Sequence, residues 1–161
     1  MDEVERIASQ IDLTYRDGFW GGGSIRDLFR SMAASEAASY PISGAHSVWE
    51  IALHISAWHG IFRNRIVDKD VEYHYDIDWP RPGETTDENW STVLDGLDQS
   101  HKALVDAVRN VKVEDLHKLV RGKEFTFFEM FHGISQHDHY HAGQVVMLKK
   151  AISAHSLKSA R

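Results

Sequence analysis

The sequence contains no cysteine among its 161 residues and only three prolines. The lack of cysteine excludes disulfides, cysteine-ligated zinc and a cysteine nucleophile, so any thiol chemistry would need a thiol from elsewhere. Pro41, Pro80 and Pro82 all lie between periodic segments, which leaves long stretches free to form helices. No apolar run approaches the ~20 residues of a membrane span, and the acidic start is unlike a secretory signal. We therefore expect a cytoplasmic protein that does not act at a membrane.

Basic residues are also in the minority, with 18 Lys and Arg against 24 Asp and Glu and a formal net charge of -6. Proteins that bind nucleic-acid backbones usually carry a basic face, so we expect a small-molecule substrate and no nucleic acid. Histidine is unusually frequent, at 11 residues. Without cysteine, any transition-metal site must be built from imidazoles and carboxylates. The length and the 42% apolar content predict a single domain over residues 1–161.

Hydrophobic residues recur at three- and four-residue spacing in four long segments, which predicts four amphipathic helices. The segments are 2–17, 45–68, 85–110 and 126–153, with short helices after Ser24 and around 114–119 and a loop at 68–84. Ser47, Thr85 and Thr126 are each followed by Glu three residues later, the spacing of a capping box at a helix start. Strand signals are weak throughout. The sequence therefore predicts an all-α four-helix bundle.

The inward stripe of the last helix contains two histidines among apolar residues. His137 and His141 are four residues apart, so their side chains lie on one helical face about one turn apart. Two imidazoles at this spacing can bind one metal ion. The alternative is a pair of core histidines, each satisfied by a hydrogen bond. His132 and His139 project to the opposite face, where we expect surface residues.

A third histidine from another helix would complete a metal site with at least one open coordination position, which is typical of catalytic sites. His54 lies within the apolar arc of the second long helix, and His101 lies on the apolar stripe of the third. Periodicity does not choose between these two. Trp58 and Trp79 are candidates to line a pocket over such a metal.

The segments that carry these residues resemble the DinB-like (YfiT-like) superfamily. The resemblance rests on residues 46–58, 78–80 and, above all, 126–144, and it extends to the start at 20–28. It implies a four-helix bundle with up-down-down-up topology, often homodimeric. It also implies that His54, His137 and His141 bind a divalent metal, with zinc or nickel the usual ions. His101 then becomes a core residue or a neighbour of the ligands.

Two features fall outside this assignment. His59 stands where relatives often carry an acidic residue, so we assign it no role. Phe127, Phe128 and Phe131 crowd one end of the last helix and cannot all face one core. We expect this aromatic surface to be covered by the short helices or by a second subunit.

The wider superfamily includes metal-dependent transferases that use thiols such as bacillithiol or mycothiol, and a thiol-dependent maleylpyruvate isomerase. The resemblance therefore suggests a metal-dependent enzyme that transfers a low-molecular-weight thiol to a small electrophile. One alternative is a metal-dependent hydrolase. The other is a bundle that binds a metal or ligand without catalysis.

Overall fold

The computed structural model describes residues 1–18, 23–67 and 75–159. In chain order the helices are α1 (Glu3–Arg16), α2 (Ile25–Arg30), α3 (Ala34–Ala37), α4 (Val48–Ile66), α5 (Tyr75–Asp78), α6 (Asp87–Arg109) and α7 (Phe127–Ser159). Across these described ranges, the single strand-like feature is an antiparallel bridge between Leu119 and Thr126. The all-α prediction is confirmed. Within the same ranges, no helix combines the length and hydrophobicity that crossing a bilayer requires.

The four long helices pack as a ring in which α1 and α4 each contact both α6 and α7. Helix α1 runs antiparallel to α6, whereas α4 runs parallel to α6. The side-chain pairs that define these directions are Glu5–Arg109 and Tyr15–Asp98 for the first pair, and Trp49–Trp90 and Ser56–Ser100 for the second. Both relations fit an up-down-down-up order, which as a whole stays a prediction.

Two of the three predicted capping boxes are confirmed. Ser47 and Thr126 each exchange hydrogen bonds with the Glu three residues later. The third prediction, at Thr85, is wrong by one residue. The hydroxyl of Thr86 accepts the hydrogen bond from the backbone N–H of Asn89, at 3.1 Å, and α6 begins at Asp87. Two adjacent threonines offer the same cap chemistry, so the local sequence does not decide between them.

Other boundaries also differ from the sequence prediction. The expected helix around 114–119 is only a 3-10 turn at Val113–Asp115, and α7 continues beyond 153 to Ser159. Helices α3 and α5 were not predicted, and α5 lies within the expected loop. The described residues do not include 68–74 of that loop, nor Gly21 and Gly22.

The core consists of two apolar clusters that meet at a layer of polar side chains. One cluster surrounds Trp49 and Trp90, and the other surrounds Leu104 and Phe131. We call the side chains at their junction the polar layer: Asp12, His54, His59, Ser100, His101, His137, Asp138 and His141. Most of these are buried, and buried polar groups require partners. The polar layer therefore contains the candidate functional residues.

The phenylalanines at the start of α7 are largely covered by this chain. Phe131 is completely buried, and Phe127 and Phe128 are partly buried. The backbone N–H groups of Phe127 and Phe128 donate to the carbonyls of Lys118 and Leu116, so the segment after the 3-10 turn lies over this end. The exposed apolar surface of α7 lies further along the helix.

Candidate metal centre

Three predicted residues meet in the polar layer. His54 on α4 and His137 and His141 on α7, here called the three-histidine group, each place one ring nitrogen within 4.8 Å of the others. The Nε2 atoms of His54 and His137 are 3.1 Å apart. His54 and His141 are both 5% exposed, whereas 19% of the His137 side chain is exposed. Solvent therefore reaches the group on the His137 side.

The Nδ1 atom of every histidine in this group faces an oxygen. The pairs are His54 with the Asp78 carbonyl at 2.7 Å, His141 with Gln144 Oε1 at 2.7 Å, and His137 with Asp138 Oδ1 at 3.3 Å. Because each oxygen is an acceptor, each Nδ1 carries the hydrogen and donates it. The Nε2 atoms are then left with lone pairs.

Lone pairs that face one another repel unless a cation or a proton lies between them. Burial lowers the pKa of His54, and burial together with the charge of His137 lowers the pKa of His141 to about 4. Both rings are therefore neutral at pH 7, the form that coordinates metals. The group could hold a metal ion, and three protein ligands would leave at least one coordination position open.

Two tryptophans flank the three-histidine group, as expected. The Trp79 ring lies between His46 and His54, nearly parallel to both, with centroids 3.5 and 3.9 Å away. The Trp58 ring lies 5.5 Å from that of His137, and its indole N–H donates to Asp78 Oδ1 at 2.6 Å. Asp78 thus ties α5 to α4 through both its carbonyl and its carboxylate. These contacts hold the rings of Trp58 and Trp79 beside the three-histidine group.

His101 and His59 lie in another part of the polar layer. His101 Nε2 is 3.2 Å from Asp12 Oδ1, and its ring stacks on Tyr15 with centroids 4.0 Å apart. His59 is fully buried, with Nε2 2.9 Å from Asp138 Oδ2. The structure therefore groups His54, rather than His101, with the pair on α7.

Sequence reasoning gave no role to Asp138 or Gln144 and missed the carbonyl of Asp78. One signal was available, because Asp138 lies three residues before His141 and four after Ile134, on the buried side of α7. Of the two histidines expected at the surface, His132 is exposed. His139 is half-buried, with Nδ1 2.6 Å from the Ser135 carbonyl.

The fold and the site together define an all-α bundle whose buried histidines could hold a metal ion. A family model described as the DinB superfamily matches residues 23–145, a range that includes the whole three-histidine group. The chain therefore belongs to the DinB superfamily, and the resemblance stated from its sequence is confirmed. No curated protein and no solved structure matched the chain.

Proposed function

We propose that this chain is a divalent-metal-dependent enzyme that transfers a low-molecular-weight thiol to a small electrophile. His54, His137 and His141 are its metal ligands, through Nε2. The observation that supports this most is the convergence of three ring nitrogens while each Nδ1 is held by an oxygen acceptor. Three imidazole donors suit zinc or nickel.

A bound divalent cation with an open position lowers the pKa of a thiol and favours the thiolate, the nucleophilic form. The residues of this chain orient and enclose that chemistry. Gln144, Asp138 and the Asp78 carbonyl fix the three rings, as acceptors behind metal-binding histidines generally do. Trp58 and the edge of the Trp79 ring offer apolar surface to the electrophile. Because the chain has no cysteine, the sulfur must come from a cosubstrate.

The proposed transfer is a substitution or an addition and needs no oxidant or reductant. The thiol gives up its proton, and its sulfur forms a bond to the electrophilic carbon. In a substitution, the leaving group departs with its bonding electron pair. In an epoxide, one ring C–O bond breaks and the oxygen keeps the electron pair while it stays attached to the other carbon. The proton released from the thiol balances that charge.

The test compares turnover of aryl halides and epoxides by metal-free and by zinc- or nickel-loaded protein. Glutathione, bacillithiol and mycothiol serve as cosubstrates. We expect turnover only with both metal and thiol, and its loss in His137→Ala. The matched control is His132→Ala, which removes an exposed histidine from the same helix.

The other outcomes identify the rival functions. Metal-dependent turnover without thiol would indicate a hydrolase. Turnover that survives in His137→Ala would remove the metal from the mechanism. A metal-loaded protein that turns over no electrophile with any of the thiols would indicate a non-catalytic metal- or ligand-binding bundle.

We also propose that the protein works as a homodimer in the cytoplasm, where low-molecular-weight thiols are kept reduced. One face of α7 supports the dimer, because Tyr140 is 65% exposed and Met147 is 59% exposed there. Light scattering should give the mass of two chains, and the mass of one chain would contradict the dimer.

A further inference from the structure

A second cluster of potential ligands lies in the polar layer, apart from the three-histidine group. It consists of His59 on α4, His101 on α6 and Asp138 on α7, here called the His59 group. These residues are 0%, 2% and 2% exposed. One ring nitrogen of each histidine and one carboxylate oxygen lie within 4.8 Å of one another. Three such groups, buried together, each need a partner.

The hydrogen-bond partners of His59 determine which of its nitrogens carries a hydrogen. The Ser100 hydroxyl donates to the Leu97 carbonyl at 2.9 Å and lies 3.5 Å from His59 Nδ1, at the limit of a hydrogen bond. His59 Nε2 lies 2.9 Å from Asp138 Oδ2, and because that oxygen is an acceptor, Nε2 carries the hydrogen and donates it in the metal-free chain. A cation bound between these two atoms would displace that hydrogen.

His101 leaves an unused lone pair in the same place. Its Nε2 donates to the Asp12 carboxylate, and its Nδ1 is buried with no hydrogen-bond partner in the described part of the chain. Burial, reinforced by the charge of His59, lowers the pKa of His101 to about 4, so the ring is neutral at pH 7. Its Nδ1 is therefore an acceptor without a donor.

We propose that His59, His101 and Asp138 form a second divalent-cation site, separate from the three-histidine group. A cation there gives a partner to His101 Nδ1 and takes the place of the hydrogen between His59 Nε2 and Asp138 Oδ2. The remaining polar atoms keep the partners they already have: Ser100 for His59, Asp12 for His101, and His137 for Asp138 Oδ1. Two imidazoles and one carboxylate are a donor set suited to zinc and other first-row divalent ions.

A cavity between α1 and α6 lies beside this site, next to His101 but not in contact with His59 or Asp138. It has a volume of about 300 Å³, and both Asp12 and His101 line it. The three-histidine group lies between α4 and α7, on the opposite side of the helix ring. The two sites meet at Asp138, whose oxygens face His137 and His59 respectively.

The experiment counts zinc ions. Metal-free protein is incubated with excess zinc, passed through a desalting column, and measured for zinc per chain by mass spectrometry. We expect two ions in the wild-type chain and one in His101→Phe, which keeps a ring against Tyr15 but removes both nitrogens. His54→Ala should also retain one ion. His132→Asn, at an exposed position, should retain two.

A wild-type count of zero would overturn the second site without any variant, and the variants assign a count of one or two to particular sites. One ion in the wild-type chain that is lost in His54→Ala would overturn the second site. So would two ions retained in a His101→Phe chain with wild-type helical content. One ion that is lost only in His101→Phe would support the second site and contradict the proposed ligands at the three-histidine group.

Discussion

Gln144 provides the sharpest test of how the metal ligands are held. Its Oε1 accepts a hydrogen bond from His141 Nδ1 at 2.7 Å. The other two acceptors are less suitable for mutation, because one is the backbone carbonyl of Asp78 and the other is Asp138, which also faces His59. Gln144→Ala removes one of three orienting contacts and leaves every proposed ligand in place.

The expected loss of zinc affinity follows from the role of the Gln144–His141 hydrogen bond. Losing an acceptor behind a metal-binding histidine typically weakens metal affinity about 10- to 100-fold. At ~1.4 kcal/mol per factor of ten, this is about 1.4–2.8 kcal/mol. Proton competition cannot be the cause, because the Gln144 hydrogen bond raises the pKa of His141 and its removal lowers that pKa further. The loss would therefore reflect ring orientation and ligand basicity.

Zinc affinity is measured by competition with a chromogenic chelator at pH 7.5. The matched control is Gln136→Ala, at an exposed position on the same helix, which should bind zinc like the wild-type chain. A Gln144→Ala affinity within twofold of the wild-type value would refute the reasoning. It would mean that His141 does not depend on this acceptor, or is not a ligand.

Three further predictions concern the site and the core. His54→Ala should lower zinc content at the three-histidine group sharply, which elemental analysis can measure. Leu104→Ala should lower the free energy of unfolding by about 2–5 kcal/mol in urea titrations, because this side chain is completely buried. With a chelator present, that free energy should also fall as the pH drops from 6.5 toward 4. Burial holds the pKa of His101 near 4, so the unfolded chain takes up a proton that the folded chain does not. The contribution of His101, up to ~1.4 kcal/mol per pH unit, should be missing in His101→Phe, which should keep the contributions of His54 and His141.

The sequence predicted the long helices because their signals are local. A capping box such as Ser47 with Glu50 spans only four residues, and an apolar stripe repeats within one helix. The prediction was wrong at Thr85, because Thr85 and Thr86 offer the same cap chemistry. The short helix α3 was missed because four residues are too few to show a hydrophobic period.

Local sequence patterns predicted only the part of the candidate site that lies on one helix, α7. The spacing of His137 and His141 places both on one face of α7, which needs no tertiary information. Choosing between His54 and His101 does need tertiary information, because both lie on apolar stripes. At the level of the sequence, only the family resemblance favoured His54. The partnership of His59 with Asp138 joins two helices across 79 positions, and no local pattern encodes it.

The most direct test of the central claim is an anomalous diffraction map from crystals of zinc-loaded protein, recorded at the zinc absorption edge. We expect a peak about 2.0–2.1 Å from the Nε2 atoms of His54, His137 and His141. The Nδ1 atoms of these rings should remain bonded to Asp78, Asp138 and Gln144. A map from fully loaded protein without a peak among these three nitrogens would contradict the account.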